Sequence, residues 1–189
     1  AKIDCQRCPV SASNLTPNTI MSFAEDKEHY IWIGTFGGGL IRYDKIKNET
    51  LHFFNNPMNQ YSLGDNDVLS LCTDRSGIIW AGSHLGAGIT KIYKNTARFN
   101  HVKHEPGKKH SLSDDVVWSI YKDKENILWI GTYKGGLNKY DPVSNSFSSI
   151  NKSDKVGSLS SNHIRAIKED NYGNLWIGTY DGGLNILNK

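Results

Sequence analysis

Short apolar runs, each bounded by Asp, Asn or Gly, follow one another along this chain, and no segment shows the three-to-four spacing of an amphipathic helix. Four runs are rich in β-branched and aliphatic residues and close on an aspartate: NTIMSFAED (18–26), NDVLSLCTD (66–74), DVVWSIYKD (115–123) and NHIRAIKED (162–170). After a turn of the DRSG or DNYGN kind, each is followed by a second run: YIWIGTF (30–36), IIWAGSH (78–84), ILWIGTY (127–133) and NLWIGTY (174–180). Turn residues such as Asp, Asn and Gly tolerate the backbone angles of a tight reversal, so the two runs predict paired strands. Gly38-Gly39, Gly135-Gly136 and Gly182-Gly183 then predict a second tight turn, since glycine takes positive φ without steric cost. A third strand follows, as in LIRYD (40–44) and LNKYD (137–141), and a fourth carries apolar pairs three apart, Leu51/Phe54, Phe99/Val102 and Phe147/Ile150.

The unit repeats. Trp32, Trp80, Trp129 and Trp176 stand 48, 49 and 47 residues apart, each with a glycine two positions on. Four short strands in a period of this length predict an all-β chain of β-propeller blades, each a four-stranded antiparallel sheet. An open meander or a repeating sandwich is the alternative, but neither requires the same tryptophan and glycine at a fixed interval. The innermost strands are expected at 19–24, 67–73, 116–122 and 163–169. Blade units are placed at 18–65, 66–114, 115–161 and, in part, 162–189, after an N-terminal segment, 1–17, able to supply an outer strand. About four blades in a fragment of a larger propeller is the expectation, with the second blade the odd one: Ala81 and Ser83 replace isoleucine and threonine, and HLGAG (84–88) lengthens its turn by one residue.

Composition agrees with a soluble, ordered β-rich protein: 38% hydrophobic, 22% charged, 18 glycines and 5 prolines in 189 residues. The net charge of +3 is spread along the chain, and the basic stretch KHEPGKKH (103–110) reads as a solvated loop between blades. No nucleic-acid contact is expected. No apolar run reaches the roughly 18 residues of a membrane helix. An array of this size leaves blade faces uncovered at its ends, which predicts self-association to a homodimer.

The segments LWIGTYKGGLNKYDPVSNSF and NHIRAIKEDNYGNLWIGTYDGGLN resemble the two-component regulator propeller repeat of bacterial hybrid histidine kinases, and the resemblance runs over 14–188. It implies propeller blades in the periplasm, ahead of a membrane helix and kinase modules that this chain lacks. It also implies an oligosaccharide input and transcription as the output. The chain itself is then a sensor region, not an enzyme, and needs no cofactor. A propeller scaffold for protein-protein interaction is the alternative, and a polysaccharide lyase or hydrolase stands third.

Positions that repeat in every unit are packing positions, so the tryptophans read as core. Positions that the repeat leaves free are candidates for ligand contact. They are Phe36, His84, Tyr133 and Tyr180 after the tryptophan strand, followed by Gly37, Leu85, Lys134 and Asp181, and Met21, Leu69, Trp118 and Arg165 on the innermost strand. Propeller geometry puts these two groups on one rim. Aromatic rings stack on sugar faces while Arg, Lys and Asp fix hydroxyl or carboxylate groups, so Trp118, Arg165, Tyr133, Lys134, Tyr180, Asp181, Phe36 and His84 form the expected ligand site; each is individually also a plausible surface turn or channel filler. No metal is expected: His101, His104 and His110 lack a recurring carboxylate or cysteine partner, and CQRC (5–8) is half a zinc or redox motif without its second half. Cys72 reads as a small buried apolar residue, and Asp26, Asp74, Asp123 and Asp170 as turn formers.

Overall fold

The computed structural model describes residues 19–84, 86–93, 98–108 and 110–189, and none of them is helical. The N-terminal segment, including Cys5 and Cys8, lies outside the described residues, as does Leu85. The first sheet runs β1 (Thr19–Glu25), β2 (Ile31–Phe36), β3 (Leu40–Asp44), β4 (Glu49–Phe53). The second has β5 (Val68–Thr73), β6 (Ile79–Ser83), β7 (Ile89–Tyr93) and β8 (Arg98–Val102), and the third has β9 (Val117–Lys122), β10 (Leu128–Thr132), β11 (Leu137–Asp141) and β12 (Ser146–Ile150). The fourth has three strands, β13 (Ile164–Glu169), β14 (Leu175–Thr179) and β15 (Leu184–Leu187). All neighbours pair antiparallel in chain order, the up-and-down order of a propeller blade.

The aspartates do more than form turns. In each blade Oδ1 accepts two backbone N–H groups of the first turn, and Oδ2 accepts the indole Nε1–H of the following strand. For Asp123 these are Glu125 N and Ile127 N, both at 2.9 Å, and Trp129 Nε1 at 2.8 Å. Asp26, Asp74 and Asp170 hold Trp32, Trp80 and Trp176 in the same way, at 2.9, 2.9 and 3.0 Å. One carboxylate thus closes the turn and orients the large ring. The fourth residue of that turn has positive φ, which glycine supplies at Gly77 and Gly173 while His29 and Asn126 take it elsewhere.

The glycine two positions after each tryptophan has its own cause. A Cβ on Gly34 would stand 2.8 Å from Val68 Cγ1 of the next blade, one on Gly82 2.5 Å from Val117 Cγ1, and one on Gly131 2.6 Å from Ile164 Cγ2. Each glycine is a notch in which the next innermost strand seats. Around it lie the three cores: Trp32, Leu40 and Leu63 against Val68, Ile79 and Phe99; Trp80, Ile89 and Leu112 against Val117, Leu128 and Phe147; Trp129, Leu137 and Leu159 against Ile164, Leu175 and Ile177. Trp176, on the last described sheet, is 40% exposed, where Trp80 is 2% exposed.

The outer strand of the first blade corrects the sequence reading by one residue. Leu51 and Phe54 are both exposed, and the inward residue is Phe53, stacked on Trp32 at 5.7 Å between centroids. Phe53 faces Leu40 as Val102 faces Ile89 and Ile150 faces Leu137, so its partner three positions back is Thr50, not Leu51. Residues three apart on a strand lie on opposite faces, so such a pair reaches both neighbouring sides; the pair here is Thr50 and Phe53, while Leu51, on the face of Phe53, and Phe54, beyond the strand, stay exposed. Cys72 is half-buried rather than buried, and burial pushes its thiol up to about 11.

Candidate functional site

In the second, third and fourth blades the first residue of the β2–β3-type turn is tied to the entry of its own innermost strand. Tyr133 N donates to Val116 O at 3.0 Å, Tyr180 N to His163 O at 2.9 Å and His84 N to Asp67 O at 3.1 Å. The same turn is also tied to the next blade, through Gly39 N to Asn66 O and Gly136 N to Asn162 O, at 2.9 and 3.1 Å. Turn and strand entry therefore share one rim.

Every innermost strand has a register shift at that rim. It falls between Ile20 and Ser22, Val68 and Ser70, Val117 and Ser119, and Ile164 and Ala166. The residue passed over is Met21, Leu69, Trp118 or Arg165, so each of the free positions is the extra residue of a β-bulge. A bulge releases a side chain from the alternation of the ladder and re-aims it.

Trp118 and Arg165 meet there with the turn tyrosines. The Arg165 guanidinium lies 3.5 Å from the Trp118 ring centroid and 5.1 Å from that of Tyr180. Trp118 also packs against Tyr133 at 4.8 Å and Tyr180 at 6.1 Å. Trp118 and Tyr133 are half-buried, while Arg165 and Tyr180 are exposed. Among the described residues Arg165 has no hydrogen-bond or ion-pair partner, so the rings hold its plane while its N–H donors face solvent. Lys134 lies over Tyr133 at 5.1 Å, its backbone N–H donating to Asp114 Oδ2 at 2.6 Å. Asp181 flanks the group, held below the usual carboxylate range by a hydrogen bond from Ser161 and by the nearby His163.

Sequence reasoning missed His163. Its ring stacks on Tyr133 at 4.9 Å and 14°, and its Nδ1 stands 3.6 Å from Asp181 Oδ2, an ion-pair distance rather than a hydrogen bond. The usable signal was its place one residue before an innermost strand, where the other units carry Asp67 and Val116. Phe36 and His84 pair with each other at 5.5 Å, with His84 Nδ1 3.4 Å from Asp67 Oδ2. No described ring contact joins that pair to the Trp118 group, so the eight expected residues divide into two clusters.

The histidines of the basic stretch point to separate partners. Nδ1 of His101 meets Thr90 Oγ1 at 3.3 Å, that of His104 meets Leu112 O at 2.7 Å, and that of His110 meets Phe147 O at 3.4 Å. Among the described residues no group of three or more His, Cys, Asp or Glu side chains is placed to hold a metal.

The architecture is thus a run of consecutive propeller blades, with an aromatic and cationic cluster on the rim between the third and fourth. The family model described as two component regulator propeller matches residues 14–37, 62–84, 111–134 and 158–181, one segment per blade, and the chain belongs to that family. Histidine kinase P4 of Formosa agariphila is 30% identical over 82 residues, 43% of this chain and 6% of that protein. The extracellular domain of a hybrid two component system from B. thetaiotaomicron superposes with a TM-score of 0.69 at 29% identity, covering 87% of this chain and 19% of that one. Virginiamycin B lyase from Staphylococcus aureus, at 15% identity and a TM-score of 0.61 over 89% of this chain and 55% of its own, shares the fold alone. The chain spans a small part of the length of the first two relatives.

Proposed function

We propose that this chain is part of the extracytoplasmic, periplasmic sensing propeller of a hybrid two-component receptor, and that its rim around Trp118 and Arg165 binds an oligosaccharide. Binding there would be passed to a histidine kinase that controls transcription, the work of modules outside this chain. The observation that carries the ligand reading is Arg165, stacked on Trp118 with all its donors unspent. An indole and two phenol rings offer apolar faces to a pyranose ring, and the guanidinium, Lys134 and Asp181 offer directional partners for its hydroxyl groups. The sensor reading draws its support from family membership and from the similarity to an extracellular domain of a hybrid two component system.

The test is a titration of the chain with a panel of neutral and acidic oligosaccharides, followed by tryptophan fluorescence. A binding member of the panel should lose at least about tenfold in affinity in Trp118→Ala and in Arg165→Ala, since each removes a stacking or charge-assisted contact worth about 1.5 kcal/mol or more. Phe36→Ala, in the other cluster, should leave it unchanged. Binding that survives both rim variants would move the site elsewhere. Release of new reducing ends on incubation would turn the reading toward an enzyme.

A further inference from the structure

The outer edge between the second and third blades holds a cleft of about 410 Å³ that the sensing rim does not use. Lys91, Tyr93 and Asn100 line it from the second blade, Lys103 and Lys108 from the basic stretch, and Asn145 from the third blade. Lys91 sets it apart. Its residue is only 9% exposed, and its Nζ touches Tyr140 Oη at 3.3 Å and lies 4.4 Å from the Trp80 ring centroid and 4.7 Å from that of Tyr140. No described carboxylate pairs with it: Asp74, the acid whose charge it feels, is spent on Trp80 Nε1 and two backbone N–H groups. A buried ammonium without a counter-charge is costly, and burial accordingly pulls Lys91 below the usual lysine range. Lys103 and Lys108 add positive charge at the mouth, and Glu105, 2.7 Å from Lys108, offsets one of them. His101, held low by burial and by Lys103, adds none near neutral pH.

The other blade junctions act as internal controls. Arg42, the counterpart of Lys91, lines a cleft of about 290 Å³ that also holds Asp26 and Glu28. The cleft between the third and fourth blades is lined by Leu137, Ile150, Leu159 and Ile177, with no cation among its lining. The third blade carries the counterpart Lys139, half-buried 5.7 Å from the Trp129 ring centroid, so a cation over the tryptophan belongs to the repeat; what sets this junction apart is the depth of Lys91 together with Lys103 and Lys108 beside it. Tyr93 offers a ring face, and Asn100 and Asn145 offer amide groups, beside the unpaired charge.

From this juxtaposition we infer that the cleft between the second and third blades is a second binding site, for a saccharide bearing a carboxylate or sulfate group, with the oxyanion seated against Lys91. The inference does not rest on the Trp118 rim. Entry of an oxyanion supplies the counter-charge that Lys91 lacks, in a setting where water screens the pair poorly.

Calorimetric titration of the 189-residue chain with a sulfated heparin tetrasaccharide, with trigalacturonate and with neutral cellotetraose tests it. At least one charged probe should bind, and which one identifies sulfate or carboxylate as the group. Its affinity should fall about tenfold or more in the double variant Lys103→Glu/Lys108→Glu, whose positions are exposed and leave the fold intact, and severalfold between about 50 and about 300 mM NaCl. Lys91→Met, which keeps the apolar stem over Trp80, should abolish it, and Trp118→Ala should not alter it. If neither charged probe binds, if cellotetraose binds as well as they do, or if the double variant binds unchanged, Lys91 is a structural cation–π contact only and the inference falls.

Discussion

Replacing Asp123 by alanine would remove a carboxylate that closes four contacts at once: the backbone N–H groups of Glu125 and Ile127, the indole of Trp129, and Lys189 Nζ at 2.9 Å. Hydrogen bonds to charged groups contribute about 1.5–3 kcal/mol net, and a buried donor left without an acceptor costs about 1–3 kcal/mol. The two turn N–H groups lie beside exposed residues, so water takes them over at little cost. Trp129 Nε1 belongs to a residue 4% exposed and has no such recourse, whereas Lys189 keeps Glu169 Oε1 at 2.8 Å. The sum is a loss of about 3–5 kcal/mol, or on the order of 10 °C in Tm for a chain of this size. Asp123→Asn should fall between, since it keeps the turn acceptor but can present an amide N–H₂ toward the indole and the ammonium. The repeat supplies the control: Asp170 makes the same turn and indole bonds, but Trp176 is 40% exposed, so Asp170→Ala should cost less. Urea unfolding of the three variants by far-UV circular dichroism measures the differences. A loss at Asp123→Ala below about 1 kcal/mol, or one equalled by Asp170→Ala, would refute the claim that this carboxylate acts by satisfying a buried indole.

Gly131→Ala forces a methyl against Ser119 Oγ in its own blade and to within 2.6 Å of Ile164 Cγ2 in the next and should cost about 1–3 kcal/mol, and it should stay costly in a Ser119→Ala background, while Gly178→Ala, whose nearest foreign atom is Ala166 Cβ at 3.5 Å, should be tolerated; full rescue by Ser119→Ala would show that the notch is not a docking contact. The folded-state pKa values of Asp123, Glu169 and Asp170 are lowered, that of Asp170 to about 2, so their contribution is complete above the unfolded values near 4 and is lost as pH falls through the folded ones. The pKa of Lys189 is raised to about 12, so its contribution is complete below the unfolded value of about 10.4 and is lost as pH rises toward 12. The lowered His101 adds a loss as pH falls below about 6.5 and the raised Cys72 thiol adds one as pH rises above about 8.5, so the urea midpoint should be highest between about pH 7 and pH 8 and fall on both sides, and a midpoint constant from about pH 4 to about pH 10 would contradict this. Trp176, Leu184 and Ile186 on one terminal sheet and Ile20 and Phe23 on the other are large and exposed, so we propose that the chain self-associates as a homodimer; light scattering giving 21.2 kDa at high concentration, with no change in Trp176→Glu, would oppose it.

Much of the fold was legible because the repeat states each structural demand several times. The tryptophan and the glycine two positions on name the second strand, and the innermost strands fall within a residue or two of their expected bounds. The outer strand of the first blade was misread because Thr50 stands where the other blades have Phe99 and Phe147. With that anchor gone, the neighbouring apolar residues Leu51 and Phe54 gave a pair of the right spacing one residue out of register. The role of the aspartates was half legible: their turn chemistry is local, whereas the bond to an indole six residues on needs the hairpin to be folded first. The rim was legible as a set of free positions, and the pairing of Trp118 with Arg165 across blades followed from their equivalence in the repeat. His163 was not, since it precedes the strand and carries no repeat signature, and the bulges were not, since an extra residue in a ladder leaves no mark on a run of apolar side chains.

The bulge explains how a site can vary on a scaffold that cannot. On each innermost strand after the first, the residue before the bulge, Val68, Val117 or Ile164, fills the glycine notch of the preceding blade. The residue after it, Ser70, Ser119 or Ala166, lies opposite the glycine of its own blade. The first is held by close contact with the glycine notch and is β-branched in all three, and the second is small in all three. In a regular strand the residue between them would face across the sheet and pack on a neighbouring blade, and its identity would be fixed as well. Passed over by the ladder, it is aimed at the rim instead, and packing no longer dictates its type. That is why the same position can be Met21, Leu69, Trp118 or Arg165 while its neighbours barely change. It is also why Trp118 and Trp129, in the same blade, do different work: one is held by an aspartate in a sealed core, the other supports an exposed guanidinium. A substitution at a bulge should then alter what the rim binds and leave blade docking untouched, whereas a substitution one residue to either side should do the reverse.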